Sequence, residues 1–224
     1  LKMLSLLMPT IRRANSGGGF WPRFGPPIGG ETKAGTTITP DNAYTLSLVW
    51  CATAAISEAV ALCPLNLYRK DGQDGRQEAS ELSAHRLLKA SPNLSMDAAI
   101  FRESRTAHQV NWGGGFAEIQ KDPRSGEPIS LHPVHPSRVY SPGIGDKLPG
   151  GQTVPEHWYK VRNTNRTFSF LPPERMLHVP GRHSDDGIWA RGVFAFAQEE
   201  LGLAKATLEH AAEYFGGGAQ PRGL

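Results

Sequence analysis

Two cysteines in 224 residues are too few for a disulfide framework. Cys51 and Cys63 fall in one apolar stretch, and on a single helix they would stand ~18 Å apart, beyond the reach of a disulfide. A reducing, intracellular assembly site is the expectation. An excess of one charge is lacking as well: the formal net charge is +3. Residues 1–40 hold Lys2, Arg12, Arg13, Arg23 and Lys33 against Glu31, a surplus of +4 that leaves the remaining 184 residues at −1. A near-neutral body gives no broad phosphate-neutralising face. Long hydrophobic runs are scarce. Leu1–Met8 is too short for a signal-peptide core, and its arginine pair follows the apolar run instead of preceding it. Leu46–Cys63 has 18 residues with one charge, Glu58, which only reaches the lower limit for a membrane span. It is rich in Ala, Ser and Thr, and it reads as a buried helix instead.

Glycine and proline are abundant: 25 Gly and 18 Pro make about 19% of the chain against a usual ~12%. With 39% hydrophobic residues, this describes a loop-rich globular body and excludes collagen and coiled-coil rods. Residues 1–40 concentrate seven Gly and five Pro and read as a flexible basic arm, with Trp21, Phe24 and Ile28 as a docking point. The ordered domain is expected over residues 41–224, with Asp41 as the first N-cap.

Periodicity predicts a helix from Asn42 to Leu62, striped by Leu46, Val49, Trp50, Thr53, Ser57 and Val60 and ended by Pro64. A strand at Leu65–Arg69 follows, then a turn at Asp71–Gly75 and a short helix at Leu82–Lys89. Ser95 is expected to cap a helix over Met96–Asn111 that stops at the triple glycine. Strands are expected at Phe116–Lys121 and Pro128–His132, and a further small sheet over Arg138–Tyr140, Trp158–Asn163, Thr167–Phe170 and Met176–Val179. The order of elements predicts an α+β fold, helices flanking a small mixed or antiparallel sheet. In the last helix Phe194, Ala197, Leu201, Ala204, Leu208, Ala211 and Phe215 repeat at alternating steps of three and four, a heptad seam of large and small residues. That seam packs on its own domain or is shared with a neighbouring subunit.

No catalytic apparatus is visible. His132 and His135 form an H-x-x-H pair, each followed by proline, with no third ligand nearby. His178, His183, Asp185 and Asp186, with Glu174 upstream, are a denser group from which a metal site or a small metal-dependent hydrolase can be imagined. A strand histidine and a polar turn account for the same residues. There is no G-x-S-x-G elbow, and the Gly-Gly-Gly runs lack the Lys-Ser/Thr of a phosphate loop. Cys51, inside an apolar helix, is expected to be inert. The residues thus suggest no catalytic residue, no cofactor and no metal.

Several strings, in order, resemble the portal proteins of tailed bacteriophages. Leu48–Tyr68 is similar to that family's first helix and following strand. His85-Arg86-Leu87-Leu88 with Ser91-Pro92-Asn93 resembles its H-x-L-x-x-L-L-x-x-x-P-N stretch. Met96–Ile119 matches M-x-x-x-x-F-R-E…W-G-N-A-Y-A-E-I, through Phe101-Arg102-Glu103, Trp112-Gly113 and Phe116-Ala117-Glu118-Ile119. Leu131-His132-Pro133 to Arg138-Val139 resembles L-x-P-L-x-P-S-R-V, and Met176-Leu177-His178-Val179 with Gly187 resembles I-L-H-I-…-D-G-x-x-G. Glu213–Leu224 is similar to x-x-F-x-N-G-A-x-P-x-G-x-L. Departures are Gly114-Gly115 for the usual Asn-Ala and Val193-Phe194 where the family often has Ser-Pro.

The resemblance, over residues 44–224, implies a portal-type wing domain that stops before the family's stem and clip, as a fragment or a truncated gene product. It implies a structural subunit of a homo-oligomeric ring, twelve copies in the full-length protein, at a capsid vertex. Double-stranded DNA passes through such a ring during packaging and ejection. Implied partners are the terminase large subunit, the major capsid or scaffold protein and a head–tail adaptor. The implied setting is the virion, assembled in the host cytoplasm, with no membrane. A different head–tail adaptor is the other virion reading.

Overall fold

The computed structural model describes residues 32–71, 75–142, 145–155, 157–182 and 190–217. Thr32 and Ile38, within the stretch expected to be arm, are 4% and 2% exposed, so ordered packing starts before Asp41. The first cap is also earlier than expected. Thr39 and Asn42 form a reciprocal box, in which the Asn42 backbone N–H donates to Thr39 Oγ1 (3.3 Å) and that of Thr39 to Asn42 Oδ1 (2.8 Å). Helix α1 spans Pro40–Ala43, with its proline in the first turn where the missing N–H costs nothing. The expected single helix is broken here, because Thr45 Oγ1 takes up the Asn42 carbonyl (2.6 Å) before α2 begins at Ser47–Leu62.

A hairpin of β1 (Tyr68–Asp71) and β2 (Gly75–Glu78) follows, exposed along both strands. It leads to α3 (Ser83–Lys89) and α4 (Ala98–Trp112). Asp97, not Ser95, caps α4: its carboxylate accepts from the Ile100 N–H at 2.8 Å. Gly113 ends that helix in the left-handed region at φ +85°, where a Cβ would run into the Ala190 carbonyl group.

The chain then enters β3 (Gly114–Lys121), β4 (Pro128–Val134), β5 (Val139–Tyr140), β6 (Tyr159–Arg162), β7 (Phe168–Leu171) and β8 (Met176–Pro180). All named pairings are antiparallel. The four strands after residue 137 do not share one sheet. β5, β6 and β7 form one, whereas β8 crosses over to pair with β3 in the order β4-β3-β8. Side-chain contacts help to hold it there: His178 stacks on Phe116 (centroids 4.4 Å apart), and Arg175 is ion-paired to Glu118 (2.9 Å). Phe116, Val134, Val139, Tyr159, Val161, Leu171 and Met176 fill the space between the two sheets. Leu87, Phe101, Ala117 and Leu131 join α3 and α4 to the other side of β3 and β4.

The last expected helix is also interrupted. α5 (Val193–Phe196) and α6 (Gln198–Gly216) meet at Ala197, whose φ −95° and ψ +20° leave the helical region. Phe194 joins Ile38 and Ala43 in a third core, against which Tyr44, Val49, Trp112 and Leu201 pack.

Candidate subunit-contact surface

Small and polar residues of α2 face inward. Thr53, Ser57 and Ala61 are buried against α4, and Asn111 of α4 donates to Thr53 Oγ1 (3.1 Å) and to the Tyr44 hydroxyl (2.5 Å). Ser57 satisfies its hydroxyl on the Thr53 carbonyl (2.8 Å). Arg102 closes the far end: it donates to the Ala61 carbonyl from Nη2 (2.7 Å) and to the Leu88 carbonyl from Nη1 (3.1 Å), taking up helix-terminal acceptors of α2 and α3. The large apolar residues face outward, with Leu48 80%, Trp50 61% and Leu62 82% exposed. The expected buried helix is therefore buried only on its small-residue side. Of its expected stripe, Leu46, Thr53 and Ser57 are buried and Trp50 and Val60 are not. Cys51 and Cys63 are both free and exposed, so Cys51 is not shielded as expected. Among the described residues no helix is long and apolar enough to cross a membrane.

The heptad seam divides along its length. Phe194 is in the core, while Ala197 and Leu201 are half-buried. Gly202 lies under Thr32, and Thr36 Oγ1 donates to the Gly202 carbonyl (2.9 Å), so the start of α6 is held by residues 32–36. Ala204 is exposed, Ala211 half-buried, and Leu208 and Phe215 are 59% and 73% exposed. Between α2, α4 and α5 lies a groove of ≈ 580 Å³, lined by Ile56, Val60, Val110, Val193 and Phe196, with Arg182, Arg191 and Glu200 among its polar residues.

The histidine candidates do not assemble. His132 is exposed on β4 beside Ser130 (3.0 Å), whereas His135 lies between the rings of His108 and Trp112, at 4.7 and 5.0 Å. His178 is engaged with Phe116 and the Tyr159 hydroxyl (3.1 Å), and Glu174 is exposed in the turn before β8. His183, Asp185 and Asp186 lie outside the described residues. Among the described residues no cluster of three or more His, Cys, Asp or Glu side chains is placed to hold a metal ion.

Sequence reading missed a buried polar row on α4. Arg105 donates to the carbonyls of Phe116 and Val134 and so joins α4 to β3 and β4; burial lowers its pKa to about 10. One turn on, burial and then the charges of Arg105 and His135 push His108 down to about 3. Among the described residues its Nδ1 has no hydrogen-bond partner. The signal available was the spacing Phe101, Arg105, His108, Trp112, one helix face on which two polar residues sit between two aromatic ones.

The Phage portal protein family model matches residues 47–224. The chain belongs to the phage portal protein family. It is 28% identical over 187 residues to the portal protein of Enterobacteria phage HK97, covering 83% of this chain and 41% of that protein. To the probable portal protein of Streptomyces phage phiC31 it is 24% identical over 206 residues, covering 90% and 44%. It therefore spans less than half the length of these curated relatives.

The fold is shared with a chain in the neck of the native gene transfer agent (GTA) particle computed with C12 symmetry. There the TM-score is 0.57 at 18% identity, over 83% of this chain and 48% of that one. A portal protein of the HK97 family from Corynebacterium diphtheriae gives a TM-score of 0.53 at 17% identity, over 83% and 52%. The α+β fold is thus a portal-type fold, and residues of the strings that carry the resemblance tie its elements together. Pro92 is fully buried and its carbonyl accepts from the Leu131 N–H (2.8 Å), while Asn93 Nδ2 donates to the Leu131 carbonyl (2.8 Å), fixing the α3–α4 loop to β4. Arg138 ties β5 to β6 through the Arg162 carbonyl (2.7 Å).

Proposed function

We propose that this portal-family chain acts as a wedge in a homo-oligomeric ring at a virion's DNA vertex, and that its role is mechanical, with no bond-making chemistry of its own. The family match over residues 47–224 carries the reading. The neck structure computed with C12 symmetry supports a twelve-fold ring. The outward apolar faces of α2 and of the outer part of α6 suit a protein that meets copies of itself. The seam Phe194, Ala197, Leu201, Ala204, Leu208, Ala211 and Phe215 serves both expected purposes in sequence: its first part packs within the domain, and its outer part meets a neighbour. A closed ring needs two different surfaces whose rotation returns to the start.

In the assembled particle the ring would pass double-stranded DNA and meet the terminase, the capsid or scaffold protein and a head–tail adaptor. Residues 1–31, the outer part of the arm expected over residues 1–40, carry Lys2, Arg12, Arg13 and Arg23 against Glu31, a net +3, and are the proposed contact with capsid, scaffold or nucleic acid. Electron microscopy of the full-length product tests the function. Rings with a central hole are expected. A monodisperse monomer, or turnover of a small molecule abolished by one polar substitution, would overturn the reading.

A further inference from the structure

We propose that the groove between α2, α4 and α5 receives the outer half of α6 from a second copy of this chain. The inference rests on the ring reading and names the two surfaces that would make each head-to-tail contact.

The helix needs a partner. No residue from Leu203 to Gly217 is buried among the described residues, although Leu203, Leu208 and Phe215 are large and apolar. A lone helical stretch of this length is marginal in water without tertiary packing. The groove has room for an occupant, since Ile56 and Val60 from α2 and Val193 from α5 are each about half exposed along its wall.

The chain's own α6 cannot fill it. Glu200, in the first turn of α6, already lines the groove, and the helix then runs on to Gly216. At 1.5 Å per residue, Phe215 stands ~22 Å beyond Glu200 along the same rod. The same surface on another copy has no such restriction. Groove and helix end are different patches separated by that distance, so a one-way pairing between them is heterologous and propagates from copy to copy.

Charge agrees with the pairing. Arg182 and Arg191 stand in the groove and make no ion pair with a described residue. The outer half of α6 carries Glu209 and Glu213, both exposed, against Lys205, which reaches Glu209 only at 3.7 Å. Two arginines against Glu200 leave the groove net basic, which complements the acidic flank of the helix.

The test uses charge exchange in the full-length product, with mass photometry as the readout. Arg182→Glu with Arg191→Glu should lower the assembled fraction at least tenfold at moderate salt, with an unchanged melting temperature. Adding Glu209→Arg and Glu213→Arg should restore it. Reversal without effect, or no restoration, would overturn the pairing. A second route avoids the charges. In a Cys51→Ser, Cys63→Ser background, Val60→Cys with Leu208→Cys should give a ladder of covalent multimers on mild oxidation. Rings by microscopy without that ladder would sink the groove while leaving the ring reading intact. Absence of any assembly in the unmodified product would sink both.

Discussion

α4 and α2 lie side by side, yet they are built on opposite principles. α4 puts a cation, an imidazole and an amide inward (Arg105, His108 and Asn111), and backbone carbonyls or neighbouring side chains receive two of them. α2 turns Thr53, Ser57 and Ala61 inward and keeps Leu48, Trp50 and Leu62 for the outside. Burial that depends on named polar bonds fixes one geometry. Exposed apolar surface fixes none until something covers it. The region around α4 is a joint, whereas the outer faces of α2 and α6 are apolar surface left uncovered among the described residues.

The largest break in that contrast should come from Arg105. Arg105→Ala leaves the Phe116 and Val134 carbonyls without their donor and opens a void, at a cost of about 3–4 kcal/mol. Urea unfolding measures it. A loss below ~1 kcal/mol would mean the two carbonyls find other donors.

His108 gives the next effect, through pH. Its folded pKa, near 3, lies below the ordinary 6.5, so between these values the unfolded chain binds more protons. Stability is then full above pH 6.5 and declines as the pH falls toward 3, by roughly 2–4 kcal/mol. His108→Gln should flatten that slope in a series of unfolding curves. An unchanged slope would move the titration to another group.

Gly113 sits where the α4 region meets the segment leading to α5. Gly113→Ala forces a side chain into φ +85° against the Ala190 carbonyl, which should cost about 2–3 kcal/mol, read as a lowered melting temperature. The smallest effects belong on α6, where they split one seam in two. Leu201→Asp, facing the Phe194 core, should cost about 1–3 kcal/mol, whereas Leu208→Asp should stay within about 0.5 kcal/mol in the isolated chain. Equal losses at both positions would erase the division between the inner and outer seam.

Much of the element order was legible because its cues are local. Gly113 stops α4, Pro64 follows α2, and the Asp122–Gly126 turn separates β3 from β4, each by its own backbone chemistry. The crossover of β8 was not legible. Met176–Pro180 alternates like its predecessors, and contacts distant in sequence, among them the His178–Phe116 stack and the Arg175–Glu118 pair, select its partner. The break at Ala197 was hidden because alanine carries no stop signal and the heptad runs through it. The outward face of α2 was hidden for a related reason. Apolar content implies burial only when the burying partner belongs to the same chain segment.

The junction at Ala197 has a mechanical consequence. α6 is gripped at Gly202 by Thr32 and Thr36, and no described residue after it is buried, which is the geometry of a cantilever. A tilt of roughly 10° at its root sweeps Phe215 through about 4 Å over the ~22 Å of rod beyond Glu200. The β-sheets need not stir. A helix held at that one clamp would follow the tilt of whatever body covers its outer face.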